Sequence, residues 1–63
     1  MKKLYLNWRG PAGRETVDEF TRGEDSPADW RGFRRYVGQM VAEYRIAGMD
    51  VYTSGRACAN WRA

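Results

Sequence analysis

The sequence predicts an α+β domain in the order ββαβ, with an antiparallel sheet of three strands arranged 2-1-3, room for a short fourth strand, and one helix packed on one face in two layers. Three observations carry this prediction. Residues Lys3 to Arg9 alternate cleanly between apolar and polar side chains, which is the period of a half-buried strand. Ser26-Pro27-Ala28-Asp29 is a helix-start signal that opens a run of apolar residues at helical spacing. After Gly48 the pattern returns to period two.

In the first strand Leu4, Leu6 and Trp8 point one way, and Lys3, Tyr5, Asn7 and Arg9 the other. Gly10-Pro11-Ala12-Gly13 breaks the strand and predicts a hairpin loop, because proline fixes its own φ and glycine accepts positive values. A second strand, Arg14 to Phe20, puts Val17 inward. Phe20 is out of phase with Val17, so a bulge near Asp18, or a strand end at Glu19, is expected.

The helix is expected from Pro27 to Ala47, with Ser26 as N-cap and Gly48 ending it in a left-handed conformation. At 100° per residue Trp30, Phe33, Val37, Met40, Val41 and Tyr44 share one arc. They face Leu4, Leu6, Trp8, Val17, Met49 and Val51 across the core. In the third strand Met49, Val51 and Thr53 take the inner face, and Asp50, Tyr52 and Ser54 the outer one. Ser54-Gly55 then turns the chain into a short strand, Arg56 to Asn60, with Trp61 at an edge.

With 63 residues the chain is a single domain, below the ~70–80 residues at which one core leaves stability to spare, so a homodimer is a reasonable expectation. Lys+Arg number 11 against 8 Asp+Glu, a net charge of +3, and histidine is absent. The lack of histidine removes histidine general-base catalysis, and a single cysteine, Cys58, removes an internal disulfide and a zinc knuckle. The expectation is therefore a non-enzymatic protein without metal or cofactor. Only Leu4, Tyr5 and Leu6 follow the lysines at the start, too few for a secretory h-region, and no apolar run is long enough for a membrane span. A soluble, cytoplasmic protein with no membrane partner is expected.

Two surfaces are candidates for binding. On the sheet face away from the helix, Tyr5 and Tyr52 stand among Lys3, Asn7, Arg9 and Thr16, an arrangement suited to stacking unpaired bases. Tyrosine also favours strands for reasons of pairing alone. On one flank of the helix Arg31, Arg34, Arg35 and Arg45 form a cationic stripe that fits phosphates or an acidic protein, or that simply covers core edges with its stems. Nine of the cations are arginine, which reflects either bidentate recognition or the codon bias of a GC-rich genome.

The short ββαβ layout, the Arg- and Trp-rich composition and the segments WRGPAGRETVDEF and EYRIAGMDVYTSGRACANW resemble the very small accessory proteins of phages and prophages, including anti-CRISPR and other host-inhibitory proteins. The resemblance implies an inhibitor that occupies a surface on a host or defence complex in the host cytoplasm. Protein–protein binding is the leading expectation, and a nucleic-acid-binding module using Tyr5 and Tyr52 or the arginine stripe is the alternative.

Overall fold

The computed structural model describes residues 3–61. Its elements follow in the order β1 (Lys3–Gly10), β2 (Gly13–Thr21), α1 (Trp30–Ile46), β3 (Val51–Ser54) and β4 (Asn60–Trp61). The strands form one sheet in the order β3-β1-β2-β4, and α1 packs on one face of it. The expected 2-1-3 arrangement is present within this sheet. The sheet is not fully antiparallel, however, because β4 pairs in parallel with β2 through Glu15 and Thr16. The fourth strand is also shorter and later than the expected Arg56 to Asn60.

Alternation carries β1 as the sequence predicts, but both strands of the hairpin run one pair further than expected. Gly10 pairs with Gly13, so the turn holds only Pro11 and Ala12, and Gly13 takes the positive φ of 115° that the reversal requires. Farther along, Leu6 pairs with Asp18 but Asn7 pairs with Thr16, which leaves Val17 as the extra residue of a β-bulge. The bulge resolves the phase conflict of the second strand. Phe20, opposite Leu4, joins the helix-facing side, while Thr16 remains opposite Asn7 on the reverse side.

The core is small. Leu6, Phe20, Phe33, Val37 and Val51 are buried, and Leu4, Trp8, Val17, Tyr36, Met40, Val41, Tyr44 and Met49 pack around them. Phe20 and Tyr36 meet edge to face at 5.9 Å. Trp30, expected in the core, is 45% exposed, because it begins the helix beyond the buried patch. Ile46 projects away from the core and is 87% exposed.

The helix begins three residues later than expected. Asp29, not Ser26, is the N-cap, and its carboxylate accepts from the Gly32 N–H at 2.7 Å. A Cβ at position 32 would come within 2.8 Å of that carboxylate, so the glycine serves the cap. Ser26 is occupied elsewhere: its hydroxyl donates to the Thr21 carbonyl, while the Asp25 carboxylate accepts from the Thr21 N–H. These bonds close the 22–26 loop on the end of β2. The helix ends at Ala47 as C-cap, with Gly48 at a φ of 91°, in the left-handed position that the sequence predicts.

A chain of this length has roughly 3–9 kcal/mol of stability at typical per-residue values. Truncating the largest buried side chain, Phe33→Ala, should cost about 3–5 kcal/mol, and urea titration followed by circular dichroism should show the cooperative transition shifted to low urea or lost. The Tyr44 hydroxyl donates to Asp18 at 3.4 Å, and its pKa is raised by burial, by the Asp18 charge and by that hydrogen bond. Because the folded-state pKa lies above the unfolded one, the stability it contributes is present below about pH 10 and lost as pH rises through the folded value. Thermal unfolding of Tyr44→Phe should therefore be less alkali-sensitive than that of the parent chain.

Candidate functional site

The sequence points to two surfaces, and the structure treats them differently. On the reverse face of the sheet Tyr5 and Tyr52 stand away from the helix, as alternation requires. They are not bare. The chain after β3 turns back across this face and covers it. Trp61 meets Tyr5 edge to face with ring centroids 5.2 Å apart, and the Tyr52 hydroxyl lies 3.8 Å from Cys58 Sγ. Arg9 sits over the Tyr52 ring at 4.2 Å and also pairs with Asp50 at 3.1 Å, while Arg14 approaches the same ring at 5.8 Å. The aromatic platform expected for stacked bases is already occupied by the chain's own side chains.

Beneath this covering segment lies a polar layer. Asn7 and Thr16 are fully buried, and their side chains bond each other at 2.7 Å, with Thr16 donating. Asn7 donates in turn to the Ser54 hydroxyl, which donates to the Arg56 carbonyl. The Cys58 N–H donates to Thr16 Oγ1 at 2.7 Å. Asn7 and Thr16 were expected to face solvent, because strand alternation cannot show that a later segment returns over them. Thr16→Val keeps the shape but leaves the Asn7 carbonyl oxygen and the Cys58 N–H without their partner, a loss of about 1–3 kcal/mol. Hydrogen exchange at the Cys58 amide should accelerate in that variant well before exchange in β1 does.

The second surface is open. Arg31, Arg34 and Arg35 surround the exposed Trp30 at the start of α1. Arg22, contributed by the loop after β2, lies 5.5 Å over the Trp30 ring and donates to the Ala28 carbonyl. Its Nε is buried without a hydrogen-bond partner. Trp30 itself leans on Phe33, with centroids 5.7 Å apart, so the exposed ring is braced by the core. Among the described residues the ion pairs are Lys3–Glu19 and Arg9–Asp50, so no carboxylate neutralises Arg22, Arg31, Arg34 or Arg35. Several acids of the first half of the chain are engaged elsewhere: Asp18 with Tyr44, Asp25 with the Thr21 N–H, Asp29 with the helix cap, Glu19 with Lys3.

Arg45, the last member of the stripe, donates to the Val51 carbonyl at 3.1 Å. Between it and Arg34 runs a groove floored by Leu4, Val37, Gly38, Val41 and Thr53. Gly38 is exposed, and a Cβ built there would meet nothing within 4 Å. A glycine inside a helix costs about 0.5–1 kcal/mol relative to alanine, so neither packing nor backbone geometry accounts for it. Leu4 and Arg34 also line the depression beside Arg22 and Trp30, which makes the two parts one continuous surface. Of the residues expected to bind, Arg31, Arg34, Arg35 and Arg45 therefore lie along this surface, whereas Tyr5, Arg9 and Tyr52 belong to the covered face. Arg22 escaped sequence reasoning because it comes from a loop, outside any helical period, and Trp30 because its spacing matched the core arc.

Among the described residues no helix is long and apolar enough to cross a membrane. Compared with protein-family models, with curated proteins and with solved structures, the chain matches none.

Proposed function

We propose that this is a non-enzymatic binding protein that docks on an acidic surface of a protein partner through Trp30 and the arginines around it. One observation carries the reading: four guanidinium groups, from Arg22, Arg31, Arg34 and Arg35, surround a half-exposed indole that the core holds in place, and among the described residues none of the four is in an ion pair with a carboxylate. Tryptophan and arginine are the side chains most enriched at binding hot spots, where the ring supplies desolvated area and the guanidinium a bidentate grip on carboxylates. The surface also includes Leu4, which favours a partner that brings apolar groups with its acids. Within this proposal the partner belongs to a host or defence complex in the cytoplasm, following the resemblance to phage accessory proteins; the free thiol of Cys58 fits a reducing compartment.

The test uses labelled glutamate-rich peptides containing leucine, with oligothymidylate as competitor, at low and moderate salt. The peptides should bind, Trp30→Ala should weaken binding by about tenfold or more at a temperature where circular dichroism shows the variant folded, and Arg31→Glu with Arg35→Glu should abolish it with little change in unfolding temperature. Tight oligothymidylate binding that falls steeply with salt, in the absence of peptide binding, would replace this reading with nucleic-acid binding.

A further inference from the structure

The groove between Arg34 and Arg45 opens along an exposed sheet edge. β3 is the terminal strand on that side, and among the described residues nothing pairs with its outer edge. In an antiparallel ladder, residues alternate between bonding the neighbouring strand and facing outward. The Arg9 N–H donates to the Asp50 carbonyl, and in the same register Asn7 pairs with Tyr52 and Tyr5 with Ser54, so Val51 and Thr53 present their backbone groups outward. The Arg45 bond to the Val51 carbonyl confirms that alternation. Thr53 is left with both its N–H and its C=O directed away from the sheet.

We propose that an extended segment of a partner protein adds beside β3 as a further strand, its apolar side chains seated over Leu4, Val37 and Val41 and its flanking carboxylates on Arg34 and Arg45. This rests on the protein-binding reading above and specifies the form the partner takes. Strand addition supplies affinity through main-chain bonds, and the groove beneath supplies specificity through alternate side chains. Gly38 acquires a purpose, since its missing side chain keeps the groove open where the added strand passes. Arg45 acquires two: in the free chain it shields the Val51 carbonyl, and in the complex it turns to a carboxylate, leaving that carbonyl to a partner N–H. A second copy of this chain is a poor occupant, because two-fold pairing of β3 with β3 sets Arg34 of one copy against Arg45 of the other, like charge facing like charge.

The probe is a labelled peptide of alternating valine and threonine with glutamates at both ends. It is compared with a lysine-ended version, with one N-methylated at alternate amides, and with oligothymidylate. The glutamate-ended peptide should bind at least about tenfold more tightly than either altered peptide, and its binding should slow amide exchange at Thr53. Gly38→Leu should weaken binding by a similar factor while the unfolding temperature holds or rises, since the new side chain enters empty space and improves the helix. Undiminished binding to Gly38→Leu, or unchanged exchange at Thr53, overturns the proposal. Should Arg31→Glu with Arg35→Glu abolish binding while Gly38→Leu does not, docking at Trp30 survives and the added strand falls. Displacement of the peptide by oligothymidylate, or a dimer in solution that protects Thr53 without peptide, also overturns it.

Discussion

Sheet and helix meet through Leu6, Phe20, Phe33, Val37 and Val51, and every other feature of the molecule depends on bringing those side chains to a common face. They come from four elements, and one of them is out of step: along β2 strict alternation cannot place Phe20 under the helix and Thr16 against Asn7 together. The bulge at Val17 makes both placements possible. By shifting the phase of β2 it completes an apolar layer on one side and a hydrogen-bonded layer on the other. The same shift turns Asp18 toward Tyr44, so the helix gains a polar anchor at the far end of its contact with the sheet.

The two faces are stabilised by different physics. Toward the helix, burial of large apolar groups dominates, and its lack of directionality lets half-buried Met40, Val41 and Met49 contribute at the margin. On the reverse face a chain of directional bonds through Asn7, Thr16 and Ser54 holds the segment that carries Cys58 and Trp61. A buried amide and hydroxyl are costly unless satisfied, and here each finds its partner. The outcome is a domain that has closed both sheet faces and leaves its charge on the flank of the helix.

Much of this architecture is legible in the sequence, and the departures have physical reasons. Leu4, Leu6 and Trp8 set the sidedness of β1 by alternation, Phe33 and Val37 set the buried face of α1 by period, and Gly48 marks its end. The sequence places the helix start three residues early because Ser26 precedes Pro27 as an N-cap does; Asp29 takes the cap instead, its carboxylate accepting from the Gly32 N–H, while Ser26 bonds the Thr21 carbonyl. A strand as short as β4 has no periodicity to read, and its parallel pairing is a tertiary fact. That is why the covering of Tyr5 and Tyr52 was invisible while their orientation was not. For the candidate site, helical geometry was enough to find the stripe from Arg31 to Arg45, but the meeting of Arg22 with Trp30 required the loop to be in place.

The topology has a kinetic side. The hairpin of β1 and β2 joins neighbours in the chain, whereas β1 meets β3 only after the whole helix has been spanned: Trp8 pairs with Val51, and Tyr5 with Ser54. Closing so long a loop delays the reward of its contacts, so docking of β3 is the natural bottleneck of folding. Until it arrives, β1 waits with one edge unpaired. Substitutions in β3 should then slow the approach to the native state, and a nascent chain held at that point is the species most exposed to pairing with the wrong neighbour.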